Sequence, residues 1–248
     1  MGKVSSSAVL DYFSNPKVLD HYQDATDMVG LWKSEKIVFS KTFPLQTSGI
    51  LEIGCGVGRI SFGLWSLGYT EIVASDFSKS MIKRATFLNK KLKYQIQFIV
   101  EDAKSLIHSD CTFDGVIFGF NGLMQIPGRE NRILVMQEAY RVLRKDGYFV
   151  FTTHDRTMPK WKKFWTSEKK RWKKGDQNPE LLEFGDRYED TDKGKLYIHV
   201  PEVAEVRADL QKSGFTVERD ILKSKICEES KLVNEYSDDC RFWIARKK

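Results

Sequence analysis

The 248-residue sequence has no internal repeat of 20 to 50 residues and no apolar run long enough to span a bilayer. Its first residues, Met-Gly-Lys-Val-Ser-Ser-Ser, lack the apolar stretch of a secretory signal. These absences argue against a solenoid, a membrane-spanning protein and a secreted one, and set the expectation of a cytoplasmic chain. Cysteine is scarce. Cys55, Cys111, Cys227 and Cys240 show no Cys-x-x-Cys pairing, so neither a disulfide frame nor a zinc site is expected. His21, His108, His154 and His199 also lack metal-ligand spacing, and no metal is assigned.

The hydrophobic content, 41%, is enough for a full α/β core in a chain of this length, read as one elaborated domain over residues 1–248. The net charge of +6 is unevenly placed. From Arg156 to Gly175 there are nine basic residues and one acid, Glu168, while Asp176 to Asp192 carries seven acids and one base, Arg187. The basic stretch thus has an acidic neighbour able to neutralise much of it, and positive charge alone does not establish a nucleic-acid partner.

The most informative run is Ile50-Leu-Glu-Ile-Gly-Cys-Gly-Val-Gly-Arg59. Ile50, Leu51 and Ile53 suit a buried parallel strand, and the alternating glycines let the chain turn sharply where a ligand approaches the backbone. A dinucleotide fingerprint needs its third glycine five residues after the first. Counted from Gly54, that place is Arg59, which weakens the dinucleotide reading. With Glu52, Gly54, Gly56 and Gly58 in the order acid-x-Gly-x-Gly-x-Gly, the segment resembles the first motif of the class I S-adenosylmethionine-dependent methyltransferases.

The resemblance covers roughly residues 47–155. It implies S-adenosyl-L-methionine as cofactor, S-adenosyl-L-homocysteine as product, and a cofactor site at Glu52, Gly54, Cys55, Gly56, Asp76, Phe77, Asp102, Ala103, Phe118 and Gly119. Asp76 ends a second strand, 22 residues after Gly54, where a carboxylate can accept the two hydroxyls of a ribose. It also suits a helix N-cap, although Ser78 could take that part. In the resembled family an acid after the third strand meets the adenine amino group, and Asp102 matches better than Glu101. The loop after the fourth strand, Phe120 to Met124, would line the methionine end and the mouth for substrate, with Asn121 as a candidate contact.

Strands are expected near 50–54, 71–76, 95–100, 113–119 and 147–153, and helices near 58–67, 78–92 and 129–144, the last ended by Lys-Asp-Gly. A helix over 201–213 and strands near 215–222 and 241–245 complete the pattern. The fold class is α/β: a doubly wound, seven-stranded, mostly parallel sheet with its last strand antiparallel, flanked by helices. Residues 1–46 are expected as an N-terminal helical lid with Tyr12, Tyr22 and Trp32 as contacts, residues 47–155 and 201–248 as the core, and 156–200 as a cap inserted after the fifth strand. Trp161, Phe164, Trp165 and Trp172 can share one helix face in that insertion. Three readings stay open for it: a cover over the acceptor, an RNA or membrane contact, and a packed helix with a solvated charged face. The first is adopted.

Methyl transfer to oxygen, nitrogen or carbon of a small-molecule acceptor is the expected activity. An RNA methyltransferase using the basic segment 156–175, or a non-catalytic S-adenosylmethionine-binding protein, are the alternatives. An acceptor with a high pKa needs a general base, for which His154 at the end of the fifth strand is the first candidate and His199 the second, with Tyr197 beside it. Tyr22, Asn121, Trp161, Trp165 and Tyr197 are the candidate substrate contacts. No Pro-Cys nucleophile of the cytosine-C5 type is present, and no Asn/Asp-Pro-Pro-aromatic run of the kind that grips a flipped adenine. Nor does an acidic pair clearly imitate the magnesium site of catechol-type enzymes. Oligomeric state is left open.

Overall fold

A computed structural model of the protein describes residues 2–248; the first residue of the expected lid lies outside the described residues. Helix α1 (Ser6–Phe13) is capped by the Ser5 side chain, and α2 (Pro16–Asp24) by Asn15, with Pro16 at the first turn, where its missing N–H costs nothing. A π-helical turn, Ala25–Val29, leads to α3 (Lys33–Thr42). The core then alternates: β1 (Ile50–Ile53), α4 (Arg59–Ser66), β2 (Ile72–Asp76), α5 (Lys79–Leu92), β3 (Gln97–Val100), β4 (Phe113–Phe118), α6 (Arg129–Val142) and β5 (Leu143–Thr153). Ser78 caps α5 by accepting from Met81 N, so Asp76 is free of that task.

The insertion is a helix, α7 (Lys162–Lys174), followed by a hairpin, β6 (Asp186–Thr191) and β7 (Gly194–His199). The helix matches the sequence expectation; the hairpin does not appear in it. The chain returns through α8 (Val203–Lys212), β8 (Thr216–Leu222), two short helices, α9 (Lys223–Ile226) and α10 (Lys231–Tyr236), and β9 (Arg241–Arg246).

Seven strands form one sheet in the order β3-β2-β1-β4-β5-β9-β8, parallel from β3 to β5, with β9 antiparallel to both of its neighbours. This is the expected fold class. One boundary differs: β5 begins at Leu143, four residues ahead of expectation, and within it Asp146 takes φ +66° while Arg246 holds its carboxylate at 3.0 Å.

Alternation along β1 divides the interior. Ile50 packs into the cluster under the N-terminal helices and α4, whereas Leu51 and Ile53 pack into the cluster under α6 and α8. Glu52 shares the face of Ile50, which is why its carboxylate meets α4. The insertion has its own small core, in which Trp165, Ile198 and Val200 close over Met124 of the 3-10 turn Gly122–Gln125. It also holds α1: Val4, Leu181 and Tyr197 are packed together, Val4 N–H donates to Glu180 O at 2.9 Å, and Asn15 donates to Lys193 O at 3.2 Å.

Candidate active site

A cleft of about 1140 Å³, including its open mouth, runs along the carboxyl ends of β1, β2 and β4. In a doubly wound sheet this edge is where ligands bind, because the strands diverge there at the topological switch. The turn after β1 forms its floor. Gly54 and Gly56 have φ of +63° and +55°, and a Cβ on Gly54 would collide with the Phe118 ring, so the turn and the end of β4 approach as closely as they do only through glycine.

Asp76 is fixed by two backbone donors. Its Oδ2 accepts from Gly56 N at 2.9 Å and its Oδ1 from Ser78 N at 2.7 Å. Burial raises its pKa, and those two N–H groups pull it back. Each oxygen keeps lone-pair capacity toward the cleft, as a pair of ribose hydroxyls would need. Asp102 is half exposed, its Oδ1 accepting from Lys104 N at 3.0 Å, while Glu101 is buried and accepts from Ile107 N at 2.7 Å. Both lie at the cleft wall with Ala103, Phe77, Phe118 and Gly119.

Glu52 is 2% exposed and accepts from the Ser61 hydroxyl of α4. Burial pushes its carboxyl up to about 8, against the opposing pull of Ser61 and Arg59. Arg59 also borders the cleft. It donates twice to Glu35 of α3, at 2.6 and 2.7 Å, once to Gly30 O at 2.8 Å, and its guanidinium lies 4.8 Å from the Trp32 ring. The cleft is therefore lined by a cation whose charge is already matched.

The other end of the cleft is aromatic. Tyr22, from the α2 segment, meets Phe120 edge-on at 6.0 Å and Phe13 of α1 at 5.9 Å, and Phe120 lies 5.5 Å from Tyr236 of α10. Burial pushes the Tyr22 and Tyr236 hydroxyls well above the usual tyrosine range, so both stay protonated as donors. Phe120 and Asn121 hold left-handed φ of +48° and +60°, conformations that bulky side chains rarely adopt. Phe13, Thr26, Gln125 and Tyr236 line this chamber and are absent from the sequence expectation, whereas Phe120 lies in the loop expected at the substrate mouth. Tyr236 comes from a six-residue helix near the end of the chain, which no spacing rule connects to the glycine turn. Phe120, directly after the fourth strand, was within reach of the same motif that flagged Asn121.

Several expected contacts are not brought to the cleft. Of the three lid aromatics only Tyr22 lines it; Tyr12 faces Thr191 of the hairpin at 3.4 Å, and Trp32 is 1% exposed beneath Phe120. Trp161, Trp165 and Tyr197 belong to the insertion's own cores and do not reach the cleft, which corrects the expectation that they contact substrate. The insertion covers the back of α1, and α1 covers the cleft. Asn121 lies one residue behind the wall, its N–H donating to the Thr152 hydroxyl at 2.8 Å.

Neither histidine reaches the cleft. His154 stands 3.5 Å from the Asn121 amide and 3.4 Å from Asp239 O, and burial lowers its pKa. His199 is 1% exposed between Asp186 at 2.8 Å and Glu205 at 2.7 Å, so both ring nitrogens are taken up and neither is free to receive a substrate proton. Burial would raise the Glu205 carboxyl, but His199, Arg156 and Arg132 outweigh it and bring it down to about 2. Glu183, His199 and Glu205 could bracket a cation, yet Arg132 and Arg156 already supply the positive charge there, at 2.9 Å from Glu183 and 3.2 Å from Glu205. This cluster joins the insertion to α6 and α8.

Comparison with known proteins agrees with this geometry. A family model described as "Methyltransferase domain" matches residues 50–147, from β1 into β5. A Bacillus subtilis (strain 168) protein named "Putative methyltransferase YqeM" is 28% identical over 107 residues, covering 42% of each chain. The ubiquinone biosynthesis O-methyltransferase of Pelagibacter ubique (strain HTCC1062) is 30% identical over 116 residues, 46% of this chain and 45% of that protein. The chain thus spans less than half the length of the curated relatives it matches.

Among solved structures, an S-adenosylmethionine-dependent methyltransferase from Methanosarcina mazei superposes with a TM-score of 0.67 at 20% identity, over 85% of this chain and 96% of that one. Magnesium protoporphyrin IX methyltransferase from Synechocystis PCC 6803, solved with S-adenosylhomocysteine, gives 0.63 at 17% identity over 98% and 100%. These two likenesses show the fold. Residues 50–147 thus match a methyltransferase domain, on a fold shared with S-adenosylmethionine-dependent methyltransferases.

Proposed function

We infer that this chain is an enzyme that transfers a methyl group from S-adenosyl-L-methionine to an oxygen, nitrogen or carbon of a small-molecule acceptor, in the cytoplasm. The observation that carries this reading is the continuity of the cleft, in which the glycine turn, Asp76 and Asp102 lead directly into the aromatic chamber of Phe13, Tyr22, Phe120 and Tyr236. One continuous lining runs from Asp102 and Asp76 past the glycine turn to Phe120 and Tyr236, so a cofactor and an acceptor would share a single cleft. Two similar proteins, one named for ubiquinone biosynthesis and one for magnesium protoporphyrin IX, carry names that point to small-molecule acceptors.

The cofactor supplies a methyl group on a positively charged sulfur, already a strong electrophile. Asp76 would hold its ribose, Asp102 and the Ala103 backbone its adenine, and the Gly54–Gly56 turn the methionine end. The chamber's work is then to orient the acceptor and exclude water: four aromatic rings give it apolar walls, and the protonated Tyr22 hydroxyl is a donor, while that of Tyr236 donates to His21 O. Among the described residues no histidine lines the cleft, so the acceptor best served is one whose nucleophile needs no imidazole base. Against the RNA alternative, Trp165 is buried and Trp161 and Phe164 are partly buried in the insertion's core, which reduces the aromatic surface open to bases.

Calorimetry with S-adenosylhomocysteine, followed by mass spectrometry of a panel of phenols, amines and tRNA incubated with S-adenosylmethionine, tests the reading. Saturable binding with transfer to a small molecule supports it. Transfer confined to tRNA, or binding with no transfer to any acceptor, would replace it with one of the two alternatives.

A further inference from the structure

A second cleft, of about 820 Å³ with its mouth, opens on the far edge of the sheet and shares no lining residue with the first. Its origin is local. The edge strand β8 is bulged between Val217 and Arg219, and α9, only four residues long, covers little of the strand that precedes it. Part of the sheet's apolar face therefore stays open beside α3. Val38, Ile221, Ile226 and Ile244 form the floor, each buried or half-buried.

The rim is cationic. Lys41 of α3, Arg219 of β8 and Lys225 of α9 are exposed, and among the described residues none of the three forms an ion pair. Glu218 is the lone acid at the cleft. An apolar floor under three unmatched cations discriminates among ligands by both tail and head. A neutral hydrocarbon leaves the cations unanswered, and a cationic amphiphile is repelled by them.

The geometry points to this cleft as a binding site for a soluble carboxylate amphiphile of medium chain length, with its tail on the isoleucine floor and its head among Lys41, Arg219 and Lys225. The site touches both segments that build the roof of the active site. Helix α3 carries Glu35, the partner of Arg59, and α9 leads into α10, which carries Tyr236. The proposal does not rest on the methyl-transfer reading.

Calorimetry with decanoate, below its micellar concentration, tests it. Expected are saturable binding that persists at saturating S-adenosylhomocysteine, roughly tenfold tighter binding of dodecanoate as two more methylenes are covered, and at least tenfold weaker binding by the Lys41→Glu, Lys225→Glu double variant. Both lysines are exposed, and an unchanged melting temperature of the variant would show that its fold is intact. Full competition by S-adenosylhomocysteine would place decanoate in the first cleft and overturn the proposal. Equal binding of decyltrimethylammonium, indifference to the double variant, or co-sedimentation with anionic vesicles in place of saturable decanoate binding would overturn it as well.

Discussion

Arg59 and Glu35 face each other through two hydrogen bonds, at 2.6 and 2.7 Å, with side chains only 9% and 1% exposed. Arg59 stands where a dinucleotide-binding turn would need glycine, and its guanidinium reaches back to α3, ahead of the first strand. The departure from the glycine pattern is thus also the tie between the N-terminal helices and the glycine turn.

Removing one partner of a buried pair leaves the other charge stranded, so Glu35→Ala should destabilise the protein by about 3–5 kcal/mol. The double variant Glu35→Leu, Arg59→Met should regain most of that loss. Urea unfolding of the three proteins checks it; equal stability of Glu35→Ala and the parent would show that Arg59 finds water or another acceptor.

Asp76 carries the prediction for the cofactor. With both oxygens held by backbone N–H groups, it is preorganised before any ligand arrives. Asp76→Ala should weaken S-adenosylhomocysteine binding by about 1–3 kcal/mol, and Asp76→Asn, which keeps one acceptor oxygen, should lose less. Calorimetry reads both. Unchanged affinity in the alanine variant would remove Asp76 from the site.

Glu52 makes stability depend on pH in an unusual direction. Its carboxyl is pushed from the ordinary 4.5 up to about 8 in the folded protein, so between those values the folded state holds a proton that the unfolded chain has released. Stability from this group is complete below about 4.5, falls as pH rises toward 8, and is lost above it. The total is on the order of a few kcal/mol, since a pKa displaced by one pH unit is worth about 1.4 kcal/mol. The melting temperature of the parent should therefore drop between pH 5.5 and 8.5 more steeply than that of Glu52→Gln, and parallel curves would refute the assignment.

The core was legible because its signals are local. Glycine spacing, a carboxylate at a strand end and the alternation of strand and helix each report on a few neighbouring residues, and the strands and helices from Ile50 to Val142 fall within about three residues of expectation. The aromatic chamber was legible only in part. Tyr22 and the loop of Phe120 were expected, but Phe13 with Tyr22, then Phe120, then Tyr236 come from three separate parts of the chain, and no periodicity encodes their meeting. The insertion misleads for a related reason. Its aromatics look surplus to a solvated helix and so point to substrate, whereas they are the core of a helix-and-hairpin unit whose second half, β6–β7, carries no comparable signal. His199 misleads in the same way, since nothing local announces the two carboxylates that occupy it.

That correction yields the last prediction. Tyr236 lines the chamber, stacked 5.0 Å from His21 and 5.5 Å from Phe120, whereas Trp165 is 6% exposed inside the insertion and touches Phe164 and Phe184. The two residues should fail differently. Tyr236→Ala should lower kcat/KM for the acceptor roughly 10- to 100-fold, about 1.4–2.7 kcal/mol, while S-adenosylhomocysteine affinity stays within tenfold. Trp165→Ala should cost about 3–5 kcal/mol of stability through the cavity it leaves, with little change in acceptor KM at temperatures where the variant is folded. The insertion acts on the cleft indirectly, by supporting α1 and the Gly122–Gln125 turn. Steady-state kinetics beside thermal unfolding separates the two patterns. An acceptor KM raised tenfold in folded Trp165→Ala, with Tyr236→Ala unaffected, would restore the insertion as the wall of the acceptor site.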